Sequence, residues 1–344
     1  MKHSLWFFGL IALSFSLGCT GKKPSSAEVN LAIWGNYISD QTAQRFTQET
    51  GIKLNISNYS SNEELLAKVQ SGASGIDVAV PSEYMVEIMV QNGLLEALNA
   101  QDLGIASQLD PKIQLSSIAS PFALPYAWTT TGLAYHKELL PEGIKDWASL
   151  FSNKALGGKV SLMDDAREVI GAALKMHGHS VNTVNPEELK KAEKTLIEFK
   201  PRVKMFTSDP VDSLLNKEVA VAQIYSSDAL QAQKKSNGAV VFVLPAEGGA
   251  RAVDTLVVFK AAKNKDNAMK LVKFLLDRKT NIEFVSEVMA GPVLKDTKHE
   301  FPADVQTLAP LFPDASLFAK LEDLKDVGEN TKLFDQIWTR IKTD

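Results

Sequence analysis

From residue 29 onward, short apolar runs alternate with helical stripes. VNLAI at 29–33, IKLNI at 52–56 and IDVAV at 76–80 read as strands. Between and after them come a helix opened by Ser39 and Asp40 and closed at Gly51, the helix EELLAKVQ capped by Ser61, and YMVEIMVQN, which follows Ser82 and ends at Gly93. Strand alternating with helix predicts an α/β fold with a parallel, doubly wound sheet. Ligands in such sheets sit beyond the carboxyl ends of the strands, which directs attention to Trp34-Gly35-Asn36-Tyr37 and Pro81-Ser82-Glu83-Tyr84. Further strands are expected at 131–136, 159–163, 219–225, 240–244 and 255–259. A helix over 187–199 carries the stripe Leu189, Ala192, Leu196 and Phe199. A last helix near 330–342 puts Leu333, Phe334, Ile337, Trp338 and Ile341 on one side, as a core face.

The amino terminus breaks this pattern. Met1-Lys2-His3, an apolar run to Leu17 and then Gly18-Cys19 describe a secretory signal over residues 1–18. Cys19 is the chain's single cysteine, so it forms no intramolecular disulfide. Ser16-Leu17-Gly18-Cys19 is similar to a bacterial lipobox, with serine where leucine is commonest. The expectation is a lipidated Cys19, a polar tether over 19–28, and a periplasmic domain anchored to a membrane.

Composition adds bounds. The 344 residues, 45% hydrophobic and 23% charged, suffice for two domains, and a formal charge of −4 gives no basic face for nucleic acid. P-loop, dinucleotide and nucleophile-elbow signatures are missing from the sequence. His177 and His179 read as surface or capping residues, and neither a metal site nor a cofactor is expected. SLMDDAREVIG at 161–171 permits two readings. Asp165 followed by Glu168 is a capping box opening a helix, and the same acids suit a cation. A glycosidase pair among Asp164, Asp165 and Glu168 is also conceivable on residue type alone, but many aromatics and acids without a nucleophile or metal motif favour binding over turnover, so no enzyme is expected.

Several stretches in order, VPSEYMV, LPYAWTTTGLAYH, DWASLF, MDDAREV, PAEGG, AVDTLVVF, NKDNAMKLVKFLL and DVGEN, closely resemble the spermidine/putrescine-binding periplasmic proteins of bacterial ABC importers. The resemblance runs from about residue 29 to 340. It implies a two-lobed periplasmic binding protein fold of type II-like topology, each lobe a mainly parallel sheet flanked by helices, closing by a hinge. Lobe 1 would hold 29–132 plus 253–300, and lobe 2 would hold 133–252 plus 301–344. The crossings would fall near 131–135 and 251–254.

The resemblance further implies a small cationic amine ligand, delivered by a monomer to a membrane permease. Aromatic faces and carboxylates would hold the amine, since a cation over a ring contributes about 0.5–2 kcal/mol. The implied ligand contacts are Trp34, Tyr37, Ser82, Tyr84, Asp165, Glu168, Tyr225 and Asp254. Some positions depart from the family: Gly35, Ala252, Gly291 and Leu324 replace threonine, tryptophan, tyrosine and glutamine, while Asp228 and Arg251 add charges near the expected cleft. Arg251 is either a carboxylate-paired or solvated arginine, or a clamp for a ligand carboxylate. The clamp reading makes a zwitterionic or carboxylated amine the alternative ligand. A lipoprotein sensor feeding a signalling receptor is the alternative role.

Overall fold

The computed structural model describes residues 27–35, 37–59, 61–72 and 75–343. The expected signal segment, Cys19 and the tether up to residue 26 lie outside the described residues.

Among the described residues ten strands are formed: β1 (Glu28–Trp34), β2 (Lys53–Tyr59), β3 (Val78–Ala79), β4 (Ala123–His136), β5 (Val160–Leu162), β6 (Val203–Phe206), β7 (Val221–Tyr225), β8 (Val240–Val243), β9 (Ala250–Val258) and β10 (Glu322–Asp323). They hydrogen-bond in the order β2-β1-β3-β9-β4-β7-β5-β6, with β8 on β4 and β10 on β9. β1 pairs parallel with β2 and β3, and β5 pairs parallel with β6 and β7. β9 and β4 run antiparallel to their neighbours β3 and β7 and to each other. Each half is therefore a parallel doubly wound unit, as the strand–helix alternation requires, joined through two long antiparallel strands that this alternation does not foretell.

β4 is the main crossing. Its residues Ala123–Thr130 pair with β9, and Thr131–Tyr135 pair with β7. The strand starts well before the expected residue 131 because Pro125, which lacks an N–H, sits at a bulge where the ladder skips between Pro125 and Ala127. All but one of its 14 residues are buried, so polar and apolar positions do not alternate along it.

Two principal cores flank the crossing. One contains Leu31, Phe46, Leu256, Leu271 and Phe284; the other contains Leu133, Trp147, Leu150, Leu196 and Phe334. Full burial of such a side chain stabilises by roughly 1.5–3 kcal/mol. Phe334, Ile337 and Ile341 bury the stripe of the last helix, Thr331–Thr343, in the second core. Phe301, Val305 and Leu311, however, pack in the first. The chain thus returns to the second core after Phe318, through β10, and not at residue 301: the apolar side chains of 301–318 have their partners on the first side.

Serine caps fix the helix starts after β1 and β2: Ser39 accepts the Thr42 N–H at 3.2 Å and Ser61 accepts the Glu64 N–H at 3.1 Å. Gly51, at the other end of the first helix, adopts φ 69° to end it.

Candidate ligand-binding cleft

A cavity of about 770 Å³ opens where the strand ends of the two halves meet at β4 and β9, and its lining includes all eight expected contacts together with Asp228 and Arg251. Trp34 ends β1 and Tyr37 follows it; Tyr225 ends β7; Asp165 and Glu168 stand at the turn after β5. These are the carboxyl ends of parallel strands, where side chains are presented on rigid supports.

Asp254 is the best-anchored carboxylate. It is 5% exposed, and it accepts the Tyr37 O–H at 3.0 Å and the Ser82 O–H at 2.9 Å. Burial pushes its pKa up to about 6, against the pull of those hydroxyl donors. Ser82 precedes the helix Glu83–Gln91 but makes no side-chain cap there, its hydroxyl being committed to Asp254. Asn62 supports the arrangement, its amide donating to Ser82 Oγ at 3.3 Å and to Tyr84 Oη at 3.0 Å.

Facing residues come from the other half. Asp165 caps the helix Ala166–Met176, accepting the N–H groups of Arg167 at 2.8 Å and Glu168 at 3.1 Å, both on Oδ1. Glu168 makes no return bond to Asp165, so only half of the expected capping box exists. Its side chain instead turns inward and is 2% exposed. Burial first, then the Asp165 charge, raises Glu168 to about 8 and raises Asp165 as well, Asp165 chiefly by burial. Asp228 is pushed up to about 6 by burial and by Asp209, with Lys235 opposing.

The walls are aromatic. Trp34 lies 4.5 Å from the ring of Tyr59, and Tyr37 stands edge-on to Phe284 at 5.7 Å. Tyr84 donates to Glu63 at 3.2 Å. Ten acidic side chains line the cavity against two basic ones, Lys235 and Arg251. Such a surface attracts cations and repels anions.

Two expectations change. Gly291 does not line the cavity; it pairs with Trp128, and a Cβ there would come within 2.0 Å of the indole. Arg251 does line it, but its fork is taken by Asp323, with Nε and Nη2 each donating at 2.6 Å, and its guanidinium lies 4.8 Å over the Phe318 ring. Of the two readings the paired arginine holds, and a ligand carboxylate finds no vacant clamp. Gly35, Ala252 and Leu324 line the cavity as expected.

The sequence pattern does not point to Glu63, Asp209, Asp212 and Asp323, which also line the cavity. Glu63 and Asp209 follow β2 and β6, so the signal for them is again a strand end, in β6 carried by the short run VKMF.

A family profile described as bacterial extracellular solute-binding protein matches residues 41–332. The chain is a bacterial extracellular solute-binding protein. Among its relatives is a putrescine/cadaverine-binding protein of Pseudomonas aeruginosa, 34% identical over 97% of this chain and 98% of that one. A spermidine/putrescine-binding periplasmic protein of Escherichia coli is 32% identical over 90% of each chain. The crystal structure of the spermidine/putrescine ABC transporter substrate-binding protein PotD of Streptococcus pneumoniae superposes with a TM-score of 0.83 at 26% identity, covering 92% of this solute-binding protein and 98% of that chain.

Proposed function

We propose that this solute-binding protein captures a linear aliphatic di- or polyamine in the cleft between its halves and delivers it to the permease of an ABC importer. The observation that carries the reading is Asp254, a buried carboxylate fixed by Tyr37 and Ser82 in a cavity whose lining is acidic and aromatic. An alkyl diammonium supplies what this lining lacks: methylenes to lie against the rings of Trp34, Tyr37, Tyr84 and Tyr225, and N–H donors for Asp254, Asp165 and Glu168. Cation–π contact contributes about 0.5–2 kcal/mol and a charge-assisted hydrogen bond about 1.5–3 kcal/mol. A few of each reach micromolar binding, about −8 kcal/mol, after ordering costs. The names of the relatives support the same ligand class.

The halves act as lobes, one with residues 29–130, 253–318 and the other with 131–250, 325–343, hinging at β4, β9 and β10. The protein works outside the cytoplasmic membrane as a monomer, held by lipidated Cys19 after removal of residues 1–18.

Thermal-shift screening of residues 20–344 tests the ligand class, using putrescine, cadaverine, spermidine, agmatine, lysine and carboxylated amines. A ligand at a hundredfold excess over its dissociation constant stabilises by about 2.7 kcal/mol. Shifts with the free amines support the reading; shifts confined to carboxylated amines, or none, overturn it. Globomycin-sensitive processing and labelling with a fatty-acid analogue, both lost in Cys19→Ala, test the anchor.

A further inference from the structure

The lining holds a single buried base. Lys235 is exposed, whereas Arg251 is 8% exposed and is fixed from three directions. Asp323 grips its fork through two bonds of 2.6 Å, the Phe318 ring lies under it at 4.8 Å, and its strand pairs with β10, which carries Asp323. β10 is itself tied to the second half: Glu322 accepts from Lys175 at 2.8 Å, and Asn182 donates to the Asp323 carbonyl at 2.8 Å. The guanidinium therefore cannot swing away without breaking several contacts, and Asp323, its charge already paired with that guanidinium, is a weakened acceptor for a ligand ammonium.

We infer that the Arg251–Asp323 pair selects ligand charge, admitting aliphatic diamines and rejecting a triamine such as spermidine. The inference rests on the amine reading above and sharpens it. A volume of about 770 Å³ is within the range of sites for much larger ligands, about 300–1,000 Å³, so size alone does not exclude a triamine. Charge at this end of the cavity does. A diammonium has acceptors at Asp254 and at Asp165 or Glu168, while a third ammonium extended toward Ala252 and Leu324 meets the fixed guanidinium and a carboxylate already paired to it. Like charge and a weakened acceptor at that position act together in rejection.

The test is calorimetric titration of the wild-type protein and of Arg251→Met, Arg251→Lys and the double variant Arg251→Met/Asp323→Asn with putrescine, cadaverine and spermidine. Wild type should prefer a diamine over spermidine by tenfold or more. Arg251→Met, whose unbranched stem still covers Phe318, should gain at least tenfold for spermidine with diamine affinity within threefold. Arg251→Lys, which keeps the charge, should still discriminate, and the double variant should lose most of the gain because the freed carboxylate is gone. Retained diamine binding certifies that each variant is folded. Wild-type protein that binds spermidine as tightly as putrescine overturns this inference and leaves the amine reading intact. Unchanged spermidine affinity in Arg251→Met also overturns it. Protein that binds no amine overturns both.

Discussion

Replacing Asp254 by asparagine removes one charge and almost no volume, and the surroundings of this residue make the consequence calculable. The carboxylate's hydroxyl donors are Tyr37, on Oδ2 at 3.0 Å, and Ser82, on Oδ1 at 2.9 Å; asparagine offers an oxygen to one of them and an NH2 to the other, which as a hydroxyl can turn and accept it. What is lost is the negative charge offered to an ammonium. A charge-assisted hydrogen bond contributes about 1.5–3 kcal/mol and a neutral one about 0.5–1.5 kcal/mol. With the remaining Coulomb attraction in a partly desolvated cleft, the loss comes to about 1.4–2.7 kcal/mol, a ten- to hundredfold weaker dissociation constant. The same exchange should not harm the empty protein at pH 8. Burial holds Asp254 at about 6 against an ordinary 3.8, so ionising it in the fold costs on the order of 3 kcal/mol, a cost that asparagine does not incur. Titration with putrescine at pH 8, paired with thermal denaturation of the empty protein at pH 5 and pH 8, checks both halves. Putrescine affinity within threefold of wild type, or a variant less stable than wild type at pH 8 with its binding also lost, would refute the reasoning.

Other expectations follow from the same geometry. Glu168 and Asp254 have folded pKa values raised to about 8 and about 6; an acid raised in this way binds more protons folded than unfolded. The empty protein should therefore be most stable near pH 4–5 and lose stability as pH rises toward 8, read as a falling melting temperature. Glu168→Gln should flatten that fall above pH 6, since Glu168 is the buried acid with the higher value, and should weaken amine binding at pH 8 by about tenfold. Gly291→Ala should destabilise by about 1–3 kcal/mol or more, because its Cβ would stand 2.0 Å from the Trp128 indole; urea denaturation measures this, and a neutral result would mean that the Trp128 packing is wrong. Ala252→Trp should restore an aromatic wall at the cost of crowding Arg251, and diamine affinity measured by titration should change more than stability does.

Much of this site is legible in sequence because it lies at strand ends. The runs at 29–33, 76–80 and 219–225 mark where Trp34, Ser82 and Tyr225 emerge, and a capping residue such as Asp165 announces both a helix and an anchored carboxylate. What is not legible depends on pairs far apart in the chain. Arg251 meets Asp323 across 72 residues, and Gly291 meets Trp128 through an isolated bridge; no local period encodes either. The inward turn of Glu168 is likewise decided by the cavity, since the local pattern of Asp165 and Glu168 favours a reciprocal cap. The crossing strand β4 escapes a pattern search for a different reason: being buried on both faces, it has no alternation to find.

The central claim, that buried carboxylates receive an ammonium chain, is tested most directly by titrating putrescine into residues 20–344 at pH 7 in two buffers of different ionisation enthalpy. A cation beside Glu168, Asp254 and Asp228 must pull their raised pKa values down, while alkyl ammonium groups with values near 10 keep their protons. The account predicts saturable one-site binding at micromolar concentration or tighter, with protons released to the buffer. No saturable binding, or binding accompanied by proton uptake, would contradict it.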